Sequence, residues 1–114
     1  MANFNQVTLI GHVGQEVKMK DVNGKKLAEF SIAVNETYGK DETKKTITTW
    51  FNVDAWEGLA GIASKLLKPG LNILVQGKLK ADNYEKDNLK VKSFRVVADT
   101  LQIFDPKKDE EEQA

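Results

Sequence analysis

The chain has 114 residues, enough for one domain with a modest core, and its 40% apolar and 30% charged residues suit a globular protein. With no cysteine, disulfide frameworks, cysteine nucleophiles, thiolate zinc sites and iron–sulfur clusters are excluded, and a single histidine, His12, leaves a His-based metal or catalytic site little to draw on. The formal net charge is zero, but residues 105–114 sum to −3, which leaves +3 on residues 1–104.

A mildly basic body can favour a polyanion, with the acidic tail competing for the same surface; equally, the tail can be a solubilising segment on an ordinary surface. No apolar run approaches the ~20 residues that span a bilayer, so no membrane is expected as a partner. Residues 1–5 lack a basic segment followed by an apolar one, so no signal peptide is expected and the location reads as cytoplasmic.

The first element is a strand, in which Val7, Leu9 and Gly11 alternate with Thr8, Ile10 and His12. Gly11-His12-Val13-Gly14 reads as a strand bend where glycine permits a bulge, and it matches neither a dinucleotide fingerprint nor a phosphate loop. A lone strand histidine such as His12 reads as structural or as part of a subunit interface. Asn23-Gly24 is a turn signal. Ala28, Phe30, Ile32 and Val34 then alternate with Glu29, Ser31, Ala33 and Asn35, which predicts a half-buried strand. Residues 38–45, polar and glycine-containing, read as a mobile loop.

Residues 46–56 are rich in β-branched and aromatic side chains. Ile47, Thr49, Phe51, Val53 and Ala55 form a mostly apolar row, and Thr48, Trp50, Asn52, Asp54 and Trp56 a mixed one. The period then changes: Leu59, Ile62, Ala63, Leu66 and Leu67 mark one face of a short helix over residues 57–67, stopped by Pro69-Gly70. Leu71, Ile73, Val75, Gly77 and Leu79 resume strand alternation. Asp82-Asn83 and residues 85–88 are loop-like around Tyr84, and residues 89–98 form the last strand, extended by Leu101 and Ile103. Residues 1–104 read as one binding domain and residues 105–114 as a short disordered acidic tail.

Three strands, a helix and two strands is the order of an all-β OB-fold, a five-stranded Greek-key barrel with one short helix between strands 3 and 4. An SH3-like barrel usually lacks that helix, and a ferredoxin-like domain needs two.

Trp50 and Trp56 share a parity, on the row poor in core residues, and so point to one face of a regular strand. They form a platform on which nucleobases can stack; the alternative is that one of them packs under the helix. Tyr38 and Tyr84 sit in or beside loops, interleaved with lysines, where rings can take bases and ammonium groups phosphates; each can instead be half-packed on its own barrel. The lysines placed to meet phosphates are Lys40, Lys44 and Lys45 in the loop, Lys65 on the helix, Lys78 and Lys80 on the fourth strand, and Lys90 and Lys92, which share a face with Phe94, on the last. Asp54 and Glu57 flank Trp56, but nothing completes a catalytic group, and strand carboxylates of this kind are ordinarily solvated. No enzyme activity, cofactor or metal is expected.

At these residues the chain resembles the bacterial-type single-stranded DNA-binding proteins, through Asn5-x-Val7-x-Leu9-x-Gly11-x-x-Gly14-x-Glu16, Phe30-Ser31-Ile32-Ala33-Val34, Thr49-Trp50-Phe51-Asn52-Val53 and Trp56. The likeness continues through Leu59-Ala60-x-x-Ala63-x-x-Leu66, Lys68-Pro69-Gly70 and Val75-x-Gly77-x-Leu79, and ends near Ile103. It implies an OB-fold that binds single-stranded DNA without sequence preference, as a homotetramer, in replication, recombination and repair. It carries the stacking roles to Tyr38, Trp50, Trp56 and Tyr84, and subunit pairing to the first-strand region that includes His12.

Two departures stand out. Asp82-Asn83 occupy positions often basic in relatives. The acidic end at residues 109–114 has no apolar anchor of the kind that recruits replication and repair enzymes in the family, so replication and repair proteins remain candidate partners without that tail motif. The competing functions are a primosomal replication-restart protein of the same fold and an OB-fold oligomerisation module. Four aromatics against a body charge of only +3 favour single-strand binding.

Overall fold

Where the sequence alternates with period two, the chain forms strands that curl into a barrel. The computed structural model describes residues 2–91 and 93–104, with the backbone alone at Tyr84 and Val91. The expected tail, residues 105–114, and Lys92 lie outside the described residues.

The strands are β1 (Val7–Val13), β2 (Lys18–Val22), β3 (Lys25–Tyr38), β4 (Lys45–Trp56), β5 (Asn72–Ala81), β6 (Tyr84–Lys86), β7 (Leu89–Val91) and β8 (Phe94–Ile103), and the helix is α1 (Gly58–Leu66). One sheet runs β1-β5-β8-β4-β3-β2, and a further β1–β3 pairing closes β1, β3, β4, β5 and β8 into a five-stranded barrel. β4 and β8 run parallel, every other pair antiparallel. With α1 between the third and fourth barrel strands, this is the OB-fold expected from the order of elements.

The inward parity supplies the core: Ala28, Phe30 and Ile32 from β3, Val53 and Ala55 from β4, Ile73 and Val75 from β5, Val96 and Ala98 from β8. β1 serves two partners, pairing β5 through His12 and β3 at His12 and Val13. The close approach this needs is made possible by Gly11, where a Cβ would overlap the carbonyl of Ala33. The register shift expected near Gly11 is found instead between Gln76 and Gly77 on β5.

Two-residue turns with positive φ at both positions shape the hairpins. Asn23-Gly24 (φ 52° and 83°) joins β2 to β3, and Asp87-Asn88 (φ 52° and 65°) joins β6 to β7. The second turn divides what reads as one strand over residues 89–98. Residues 89–91 fold back on β6, and β8 starts only at Phe94, because the Asp82 N–H and the Ser93 carbonyl bond at 2.8 Å and close the hairpin below them.

The helix face is also turned from the expected one. Ala60, Ala63 and Leu67 are buried and Leu59 is half-buried, whereas Ile62 and Leu66 are exposed. Glu57, at φ 56°, swings the chain out of β4 into α1, and the small alanines let the helix backbone lie close on the end of the barrel. Among the described residues, no helix is long and apolar enough to cross a membrane.

Candidate nucleic-acid interface

The outward parity of the sheet is the reverse of the core row, and it collects most of the polar chemistry. Pairing places Lys18, Glu29, Asp54, Val97 and Lys78 side by side across β2, β3, β4, β8 and β5. Trp50 and Trp56 stand on either side of this row along β4, with Asn52 between Trp50 and Asp54. Lysines therefore mark both edges of the face and tryptophans its centre.

Trp50 is 58% exposed. Its six-membered ring lies so close to Gly14 that a Cβ there would overlap it, so the bare backbone of Gly14 is one wall for the indole. A ring held on one side loses less freedom when a ligand covers the other. Beside it runs a groove of about 460 Å³ lined by Gln15, Glu16, Lys18, Glu29, Ser31, Asn52 and Arg95 among others. Trp56 is half-buried and sits opposite Leu27, a residue buried on the outer side of the sheet and not part of the main core. The expected shared face is thus observed, with Trp50 offering more ring than Trp56.

The floor between the two rings is a charge-balanced cluster. Arg95 donates from Nε to both carboxylate oxygens of Asp54 at 3.0 Å and from Nη2 to Oδ1 at 2.6 Å. Its Nη2 also reaches Glu29 at 3.4 Å, and Lys20 Nζ lies 2.7 Å from the other Glu29 oxygen. The hydrogen bonds with Asp54 hold the guanidinium above its ordinary pKa, against an opposing effect of burial. Asp54 is therefore not the solvated carboxylate its sequence position suggests.

The sequence reading missed Arg95, the only arginine in the chain, and Glu29, Lys18 and Lys20. Arg95 was findable as the lone arginine on the polar parity of a strand. Lys18 and Lys20 follow once the Asn23-Gly24 turn is given a strand on each side.

The other candidates lie further out. β3 and β4 run past the barrel as a two-stranded arm, exposed from Asn35 to Thr48, with Lys40, Lys44 and Lys45 at its tip. The residues expected as a loop are mostly this tip, where a 3-10 turn over Asp41–Thr43 makes the reversal. Tyr38 is the last residue of β3 and 52% exposed, and its hydroxyl donates to the Glu36 carboxylate. That bond and the nearby negative charge raise the phenol pKa. Tyr38 shares the parity of Phe30 and Ile32, and so lies on the opposite side of the ribbon from Trp50.

Lys80 pairs with Arg95 on the outer face, beside Lys78. Lys90 lies on β7 opposite Glu85, on a hairpin separate from β8, so the expected face shared by Lys90 and Phe94 does not form. Tyr84 opens that hairpin. Lys65 is on α1, which follows the end of β4 furthest from the arm tip, and is not brought to Lys40, Lys44 and Lys45.

Comparison with known proteins matches this arrangement to one group. "Single-stranded DNA-binding protein 1-A, mitochondrial" of Xenopus laevis is 33% identical over 110 residues, covering 87% of this chain and 75% of that protein. A single-stranded DNA-binding protein of Neisseria meningitidis serogroup A is 28% identical over 105 residues, covering 90% of this chain, which spans only 60% of that relative. A Plasmodium falciparum SSB solved in complex with ssDNA superposes with a TM-score of 0.83 at 26% identity, over 92% of this chain and 98% of that one. A small single-stranded DNA-binding protein from Streptomyces coelicolor shares the fold, with a TM-score of 0.76 at 24% identity, over 94% and 99%. The model of the single-strand binding protein family matches residues 4–104, from before β1 to just past the end of β8, and the chain belongs to that family.

Proposed function

We propose that the chain binds single-stranded DNA without sequence preference and protects it in replication, recombination and repair. Bases stack on Trp50 and Trp56, and then on Tyr38 and Tyr84. Phosphates meet Lys78 and Lys80 at the edge of the face and Lys40, Lys44 and Lys45 at the arm tip, with Lys65, Lys90 and Lys92 as outer contacts. The observation that carries this reading is Trp50, exposed on a polar strand face, backed by Gly14, with lysines on β2 and β5 at the two edges of that face. The work is binding alone: there is no reaction for the protein to catalyse and no cofactor for it to hold. We place it with the DNA of the cytoplasm and nucleoid, with residues 1–104 as the binding domain and the acidic residues 105–114 competing for its basic edges.

The active form is a homotetramer that pairs through β1. Among the described residues, β1 has a strand on only one side from Val7 to Gly11, and Ile10 in that stretch is 51% exposed. An edge with unpaired backbone groups and an exposed isoleucine favours a second copy.

Titration of intrinsic tryptophan fluorescence with oligo(dT), at low and high salt, tests the binding. Strong quenching that saturates and weakens only partly with salt is expected. Absence of quenching, or binding abolished by modest salt, would remove the stacking reading.

A further inference from the structure

Beside Trp50 the outer face carries polar side chains that the fold itself does not use. The groove there, about 460 Å³, falls in the size range of small-molecule sites and has room for a nucleobase. Ser31 and Asn52, a cross-strand pair on β3 and β4, line it on the same face as Trp50. Gln15 and Glu16 line it from the segment between β1 and β2, which the Gly14 N–H ties to the Ser31 carbonyl at 3.0 Å. The charged neighbours have bonds of their own: Arg95 to Asp54 and Glu29, and Glu29 to Lys20. Among the described residues, the side chains of Gln15, Glu16, Ser31 and Asn52 take no part in these bonds.

The charges decide what enters. Two carboxylates, Glu16 and Glu29, and two cations, Lys18 and Arg95, line the groove. Arg95 is already taken by Asp54 and Glu29, and Lys18 stands opposite Glu29 in the β2–β3 register, so a phosphate gains little here. A base gains more, because it is uncharged and carries donors and acceptors along its edge. The Asn52 amide is both donor and acceptor and suits any base, whereas the Glu16 carboxylate only accepts. Cytosine offers its N4 amino group to such an acceptor; thymine offers O4, a second acceptor that repels it. We propose that the groove holds the edge of the base stacked on Trp50, that Asn52 and Glu16 hydrogen-bond it, and that this position therefore favours cytosine over thymine. This rests on the single-strand-binding reading above and deepens it; the remaining stacking positions stay indifferent to sequence.

E16Q and N52A in the full chain test it, each titrated with oligo(dC) and oligo(dT) of equal length at the same salt. Removing the Glu16 charge strengthens phosphate attraction alike for both oligomers, so the ratio of the two affinities isolates the contact with the base. E16Q lowers the dC-to-dT ratio by about twofold or more, near the lower end of what one hydrogen bond supplies. N52A weakens binding of both oligomers by about twofold or more and leaves the ratio as in wild type. A smaller or opposite change of the ratio in E16Q, or N52A affinities that match wild type, would overturn the pocket. Both oligomers would then still quench the tryptophans, and the general binding function would stand. A wild-type chain that binds neither oligomer would overturn both.

Discussion

Gly14 matters for what it lacks. Because any Cβ at this position would meet the Trp50 ring, G14A must swing the indole off its present site. Little core is disturbed, so unfolding stability should change by less than about 1 kcal/mol. Oligo(dT) affinity should fall about fivefold or more, as for loss of one stacking contact. Equal affinities of wild type and G14A in fluorescence titration would show that the wall is dispensable. At Tyr38 the hydrogen bond to Glu36 stabilises the protonated phenol. A raised folded-state pKa means that this contribution is complete below the ordinary tyrosine pKa and disappears as pH rises through the raised value. E36Q should bring the Tyr38 midpoint down, measured as phenolate absorbance in a Tyr84→Phe background.

Among the elements, Arg95 works as a clasp, tying β8 to β4 through Asp54 and to β3 through Glu29. R95M would leave the Asp54 carboxylate, 13% exposed, without its cation, and should destabilise the fold by about 1–3 kcal/mol in urea denaturation. Pairing it with D54L should recover most of that loss, because two apolar groups leave nothing unsatisfied. Failure of the double variant to recover would mean that the face depends on the charges themselves. Glu29 is expected to oppose the proposed binding. It holds Lys20 and Arg95, so a phosphate must displace a carboxylate to reach either. E29Q should strengthen binding at low salt and steepen the log–log salt dependence by about 0.7 for each phosphate gained. An unchanged slope would show that the strand never approaches these cations.

For the whole molecule, the proposed pairing of copies through the open edge of β1 can be tested directly. I10K puts a charge where a second copy would sit, and should lower the mass measured by light scattering while leaving the unfolding midpoint of the barrel nearly unchanged. Unaltered mass would move the subunit contact to another surface. Because Tyr38 and Trp50 lie on opposite sides of the β3–β4 ribbon, a strand that stacks on both must cross the edge of the arm. The proposed binding path would therefore follow the three-dimensional course of the arm as well as the flat face of the sheet.

The sequence by itself determined the barrel, because alternation of apolar and polar residues is a local property that commits each strand's inner face. That is why Ala28, Phe30, Ile32, Val53, Ile73 and Val75 were legible as core, and why Trp50 and Trp56 were legible as sharing the other side. The tertiary structure decided what depends on residues far apart in the chain. Asp54 looks like a solvated carboxylate until β8 brings Arg95 beside it, 41 residues later. Residues 89–98 look like one strand until the paired positive-φ residues Asp87 and Asn88 fold the first three back on β6. The helix periodicity admits two faces, and the barrel end selected the one with alanines because only small side chains let the helix approach it. Local pattern fixes which side of an element is apolar; which elements lie against it is set by register and closure, and these exist only once the barrel has formed.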